Sequence, residues 1–220
     1  MQFYILPKIH KSHKDSLPFG YPGRPIVSAY NSCTDNISKY IDHQLQPYMQ
    51  ALPSYVKDTS DFISKIKACK LGKKKTYLVT LDVSSLYTNI PHKEGVEACR
   101  YILDKYGHQG KLSNDNICKL IELLLHNSYF KFDNDTYLQK MGTAMGSPMA
   151  PCFASLFMGK LEKLFLDNCE NKPDVWFRFL DDIFLLWTHS LEELHVFINR
   201  LNEFHPSIKF TYNMTYRILK

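Results

Sequence analysis

The chain has 220 residues and a mass of 25.7 kDa, with 45% hydrophobic and 14% aromatic residues. That supplies the core of one sizeable domain or two small ones, and it excludes disorder as the main state. No uncharged apolar run reaches the ~18 residues of a membrane span, and the N-terminus lacks a signal-peptide pattern, so an intracellular protein without membrane contact is expected. The six cysteines show no CxxC or Cys/His zinc spacing and read as reduced core thiols. The net charge of +5 is uneven. Residues 1–75 hold twelve Lys or Arg against five Asp or Glu, a net of +7, and the remainder holds fifteen against seventeen, a net of −2. A basic first third beside a slightly acidic remainder suits a protein that holds a polyanion with one lobe and metal with the other. A solvated lysine-rich face explains the same charge equally well.

Residues 1–30 are rich in Pro and Gly and read as short extended pieces joined by turns. Within them Lys8, Lys11 and Lys14 interleave with Phe3, Tyr4, His10 and His13, a common pattern that can bind phosphates and stack bases. Ile37, Ile41 and Leu45 recur at helical spacing, and Phe62, Ile63 and Ile66 mark a shorter helix that Gly72 ends. The run from Tyr77 to Val83 is β-branched and aromatic, as a buried strand requires. Val96, Cys99, Leu103 and Tyr106 form a helical stripe closed by Gly107, and Ile117, Leu120, Ile121, Leu124 and Leu125 form a second.

A hairpin follows, with Phe130 and Phe132 on one strand, a turn at Asp133-Asn134-Asp135 and a return through Tyr137. Ser147 then Pro148 predicts a helix start, running through Leu156, Leu161 and Leu164. Val175 to Trp187 reads as two strands interrupted by Arg178 and by Asp181-Asp182. Ser190 and Glu193 make a capping box for a helix over Leu194, Phe197, Ile198 and Leu201, and Ile208 to Thr215 is a last strand. From Tyr77 onward, apart from residues 92–146, the order is strand, helix, strand, strand, helix, strand. That order predicts an α+β fold of split βαβ type, a four-stranded antiparallel sheet with two helices on one face. Residues 92–146 are then an inserted lobe.

Asp181 and Asp182 lie in the most hydrophobic segment of the chain. Unpaired carboxylates buried there would cost several kcal/mol or turn neutral, so the pair needs a cation or an exposed turn. Asp is also an ordinary hairpin-turn residue. Asp82, near the end of an apolar strand, adds a third carboxylate that the split βαβ topology can bring to the same sheet end. Three oxygen donors at strand ends suit Mg²⁺, and two such ions about 3.5–4 Å apart would serve an in-line phosphoryl transfer. Gly142 to Pro148 lets a backbone approach a flat ligand closely, or is simply a tight turn with a cap.

The segments LDVSSLYTNIP at 81–91, GTAMGSPMAP at 142–151 and RFLDDIFLLW at 178–187 resemble the palm motifs of reverse transcriptases. With LPKIHK at 6–11 and GRPIVS at 23–28, the pattern is most similar to the Penelope-like retroelement group. The resemblance implies a right-hand polymerase, with residues 1–75 as a basic fingers-like lobe and 76–220 as the palm, whose 92–146 insertion joins the fingers. It implies an RNA template, a DNA primer, deoxynucleoside triphosphates, two Mg²⁺ ions (or Mn²⁺) and action in the nucleus.

By the same resemblance, Asp82, Asp181 and Asp182 are the catalytic carboxylates, and the Val83 carbonyl is a further metal ligand. Tyr87 is the aromatic gate against a ribose 2′-hydroxyl, with a buried core tyrosine the plainer reading. Lys8 and Arg24 contact the triphosphate, and Gly146, Ser147 and Pro148 form a turn near the nascent base pair. Lys11, Lys73, Lys74 and Lys75 add basic groups for template phosphates, the last three being equally a solvated charge run. Phe179 stands where many reverse transcriptases have Tyr, and Met145 where many have Gln. The thumb and the endonuclease of larger relatives are expected to be absent, which makes the chain a truncated core. Two other readings stay open. One is a non-catalytic remnant that binds nucleic acid, and the other is a metal-dependent phosphodiesterase using the same carboxylates.

Overall fold

The computed structural model describes residues 1–9, 21–69, 75–107 and 110–218. Lys11, Lys73, Lys74 and Gly72 lie outside them. The order begins with strands β1 (Gln2–Pro7) and β2 (Gly23–Ser28), helices α1 (Asp35–Gln50) and α2 (Thr59–Ala68), and strand β3 (Lys75–Val83). A four-residue helix α3 (Leu86–Asn89) leads into α4 (His92–Tyr106) and α5 (Asn114–His126), followed by β4 (Tyr129–Phe132) and β5 (Asp135–Leu138). Then come α6 (Ala150–Asp167), β6 (Val175–Phe179), β7 (Asp182–Trp187), α7 (Leu191–Phe204) and β8 (Phe210–Ile218).

The strands form two sheets, ordered β2-β1-β4-β5 and β6-β7-β3-β8. The second is antiparallel throughout, and its order is that of a split βαβ unit. In the first, β1 pairs with β2 antiparallel and with β4 parallel, so the hairpin from within 92–146 extends the sheet made by the N-terminal strands.

Alternation along β3 and β7 decides which side of the larger sheet is buried. Val79, Leu81 and Val83 of β3 and Ile183, Leu185 and Trp187 of β7 are buried, whereas Thr80, Asp82 and Asp182 are exposed. Against the buried face lie α6 and α7. Phe197 of α7 is 5.0 Å from Trp187 and 5.2 Å from Phe165 of α6, between ring centres. Trp187 buries its ring completely and donates its indole N–H to the Ser190 carbonyl at 2.8 Å. Over the other face, α2 sets Phe62 edge-on to Phe184 at 5.1 Å. Helices α1 and α4 pack against α6, α5 packs on α1 and α4, and their apolar stripes join the sheet's buried face in one continuous core.

Two boundaries differ from the sequence reading. The helix expected to begin at Ser147-Pro148 begins at Ala150, its N-cap is Met149 with no side-chain cap, and Pro151 takes the early-turn position. Ser147 is unavailable as a cap because its hydroxyl is 2.9 Å from that of Ser38 on α1, which also accepts the Met149 N–H at 3.1 Å. The last strand starts at Phe210 and continues to Ile218, because it pairs with β3 along its whole length.

The capping box at Ser190 and Glu193 forms in full, with the Ser190 hydroxyl accepting from the Glu193 N–H and the Glu193 carboxylate from the Ser190 N–H. Ser190→Ala is expected to lower unfolding stability by about 1 kcal/mol in urea titration. An unchanged midpoint would mean that packing alone holds the start of α7.

Candidate active site

The register of β3 against β7 places Asp82 directly opposite Asp182. Opposed residues of an antiparallel pair share a face with Cβ atoms only ~5 Å apart, and like charges there repel. Asp181 precedes them in the two-residue turn between β6 and β7, and its carbonyl accepts the Val83 N–H at 3.0 Å, which stitches the turn onto the end of β3. The other turn residue, Leu180, has φ of 55°, the left-handed region that a branched aliphatic residue rarely occupies. Its carbonyl accepts from Arg178 Nη1 at 3.3 Å.

Burial pushes the Asp181 carboxyl above its ordinary value of 3.8. The hydrogen bond from its own N–H opposes this, the Asp82 charge adds to it, and Arg24 and Lys8 pull back. Asp182, exposed as a residue but with its carboxyl against apolar neighbours, is also raised, first by that partial desolvation and then by the charges of Asp181 and Asp82.

A cavity of about 350 Å³ opens beside this end of the sheet. Lys8, Gly23, Arg24 and Pro25 line it from the smaller sheet, and Asp82, Val83 and Asp181 from the larger one. Ser85, Tyr87 and Thr88 of the α3 segment, with Met145, line the rest. The structure thus brings Lys8, Arg24, Asp82, Val83, Tyr87 and Asp181 together across more than 170 residues of chain. Tyr87 is half-buried, and its hydroxyl is pushed up to about 12 by burial and then by the Asp181 charge.

Asp182, although opposite Asp82 in the register, lines a neighbouring apolar cavity of about 590 Å³ with Phe62, Phe177, Phe179 and Phe184. Gly146, Ser147 and Pro148 do not line the 350 Å³ cavity either. They belong to a loop that holds its edge. The carbonyls of Met145 and Gly146 accept the N–H groups of Val27 and Ala29 at 3.1 and 3.3 Å. Gly146 has φ of 130°, and a Cβ there would sit 2.7 Å from the Val27 carbonyl oxygen. Lys75 opens β3 at the end opposite Asp82.

Among the described residues, no three Asp, Glu, His or Cys side chains are gathered into a ready-made metal cluster. The donors nonetheless have the chemistry a hard divalent ion takes. Two carboxylates share one cavity, and the Asp82 charge works against ionisation of Asp181.

Sequence reasoning missed several participants. Arg178 looked like an interruption in a strand, but it is 2% exposed and anchors the turn that carries Asp181. Its partner Glu162 showed only as a charge on an apolar helix, and that charge was the available signal. Ser85, left-handed at φ 51°, and Thr88 had no signal of their own.

The family model for reverse transcriptases (RNA-dependent DNA polymerases) matches residues 22–215. This chain belongs to the reverse transcriptase family. Among curated relatives of this reverse transcriptase, the telomerase reverse transcriptase of Oryza sativa subsp. japonica is 23% identical, over 64% of this chain and 16% of that protein. Among solved structures, telomerase from Candida tropicalis in complex with a fragment of telomeric RNA superposes with a TM-score of 0.70 at 14% identity. That match covers 98% of this chain and 40% of the other. Telomerase from Candida albicans gives 0.67 at 9% identity, covering 100% and 42%. These similarities establish the mixed α+β polymerase fold. The reverse transcriptase described here therefore spans less than half of each of these relatives.

The raised carboxyls have a measurable consequence. A carboxyl with a higher folded-state than unfolded-state pKa binds more protons folded than unfolded between the two values. Its contribution is fully present below about 3.8 and is lost as the pH rises through the folded value. Asp181→Asn is thus expected to melt at a higher temperature than wild type at pH 7, with the gain shrinking as the pH falls towards 4. A variant that melts lower than wild type at pH 7 would contradict a cost of ionising the buried Asp181 carboxyl.

Proposed function

We propose that this chain is the fingers-and-palm core of a Penelope-like retroelement reverse transcriptase, which adds deoxynucleotides to a DNA primer on an RNA template. Residues 1–75, with the hairpin from 92–146, form the fingers, and the remainder of 76–220 the palm. The observation that carries this reading is the single cavity shared by two carboxylates, two cations and a tyrosine, each contributed by a different segment. A nucleoside triphosphate needs that division: cations for its phosphates, carboxylates for the reacting centre, and a wall against its sugar.

Arg24, with its planar fork of donors, grips triphosphate oxygens, and Lys8 supplies a second point charge. Asp82 and Asp181 form the carboxylate end, beside which the primer 3′-hydroxyl would lie in line with the α-phosphate. Asp82, Asp181, Asp182 and the Val83 carbonyl are the groups that would hold Mg²⁺, which would supply charge neutralisation for the attacking and leaving oxygens. Tyr87 closes the cavity where a 2′-hydroxyl would project, and its high pKa keeps it neutral there. The order of the motifs at 6–11, 23–28, 81–91, 142–151 and 178–187 supports the Penelope-like subtype and, through it, action in the nucleus. No helix among the described residues is long and apolar enough to cross a membrane.

A telomerase-type polymerase is a second reading, favoured by the rice relative. It predicts extension that depends on one dedicated RNA, whereas the retroelement reading predicts extension on any annealed RNA template.

The test is primer extension on a generic RNA template with deoxynucleotides and Mg²⁺. Wild type is expected to extend the primer, and Asp181→Asn to fall to background. Primer shortening would instead point to a phosphodiesterase. No change in the primer, from a folded wild type, would leave a nucleic-acid-binding remnant. In the same assay Tyr87→Val is expected to weaken discrimination against ribonucleotides roughly 10- to 100-fold while retaining extension. Unchanged sugar selectivity would make Tyr87 a core residue only.

A further inference from the structure

Beneath the turn that carries Asp181 lies a buried ion pair that the catalytic reading does not use. Arg178 and Glu162 are 2% and 4% exposed. Arg178 Nε donates to Glu162 Oε1 at 2.6 Å, and Nη2 donates to the Ser155 carbonyl at 3.0 Å and to Glu162 Oε2 at 3.4 Å. Glu162 Oε2 also accepts the Ser54 hydroxyl at 2.6 Å. The Arg178 backbone is held from the same side, its N–H donating to the Ser54 carbonyl at 2.6 Å and its carbonyl accepting the Val56 N–H at 2.9 Å. The guanidinium is thus held by α6 and the backbone by the segment after α1, which leaves the Nη1 amino group. That donor, Nη1, reaches the carbonyl of Leu180, the residue in the strained left-handed conformation next to Asp181.

We propose that Arg178, clamped by Glu162, is the positioning residue for catalysis: it pins the Leu180 carbonyl and so fixes where Asp181 meets β3. The inference rests on nucleotide addition at Asp82 and Asp181. A buried pair that served stability alone would be replaceable by apolar residues of similar volume, since such exchanges are often neutral, whereas removing one partner strands a charge. A positioning residue is not replaceable in that way, because no apolar side chain donates to Leu180. Strain at a turn persists only where its surroundings over-determine it, and the Arg178 hydrogen bond to the Leu180 carbonyl is one such constraint here.

The experiment uses the Arg178→Met/Glu162→Met double variant. It is expected to melt within a few degrees of wild type, roughly as for other apolar replacements of buried pairs. Two further readouts separate positioning from structure. The first is amide hydrogen exchange at Val83, whose N–H donates to the Asp181 carbonyl, compared with Leu81 in the same strand. Exchange at Val83 is expected to quicken about tenfold while Leu81 is unchanged. The second is single-nucleotide addition, in which kcat is expected to fall roughly 10- to 100-fold, with KM for the deoxynucleotide nearly constant.

Wild-type Val83 protection, or wild-type kcat, in the folded double variant would overturn the proposal. If the double variant does not fold, Arg178→Lys carries the same comparison. It keeps the charge but not the fork of donors, so it is expected to show the faster Val83 exchange and lower kcat. A wild-type protein that adds no nucleotide would sink the polymerase reading, and the Val83 exchange would still decide whether Arg178 fixes the turn.

Discussion

The antiparallel pairing of β3 with β7 is the constraint on which the rest of the molecule depends. Its register faces Val79, Leu81 and Val83 together with Ile183, Leu185 and Trp187 towards the helices, and the same alternation turns Asp82 and Asp182 outward. A slip by one residue would exchange the two sets and bury the carboxylates in the core. The apolar burial that stabilises the sheet therefore also determines which end of it carries negative charge. Core and site are two faces of one register.

That placement has costs, and the structure shows where they are met. Asp82 opposite Asp182, with Asp181 in the adjoining turn, sets like charges against one another, and desolvation at Asp181 and Asp182 adds to the cost of ionising those two. Leu180 adds backbone strain at the same turn. The offsetting contacts come from elsewhere in the chain. Lys8 and Arg24 arrive on a different sheet and lower the cost of ionising Asp181, and α6 supplies the partner for the arginine below the turn. The 142–149 loop bonds to the edge of β2, the strand that carries Arg24, and so ties the cationic wall of the cavity to the body of the protein.

Much of this was legible in the sequence because the signals were local. The apolar stripes of α4 and α5, the capping box of α7 and the strand at Tyr77–Val83 rest on spacing within a few residues, and those elements stand where their spacing put them. Asp181 and Asp182 stood out because charge inside an apolar run is costly wherever it occurs. Other features were invisible for a physical reason. Ser147 has every property of a helix cap, but its hydroxyl is taken by Ser38, more than a hundred residues away. Arg178 and Glu162 are ordinary charged residues until folding buries both, and nothing near either one announces the other. The division of Asp181 and Asp182 between two cavities depends on which side of one turn each side chain leaves, and adjacency in sequence hides that.

Strand β3 occupies the middle of its sheet, yet both of its neighbours come much later in the chain. Its pairing with β7 joins Tyr77 to Trp187, and its pairing with β8 joins Lys75 to Ile218. Such distant partners carry a large loop-closure entropy and slow the folding step that unites them. During synthesis β3 leaves the ribosome as an apolar strand with two open edges, and it waits for about a hundred further residues before either edge is covered. In that interval its unpaired edges are open to aggregation or chaperone capture. Asp82 and Asp182 cannot face each other until the wait ends, so a chain stalled midway has neither a closed sheet nor a completed acidic end.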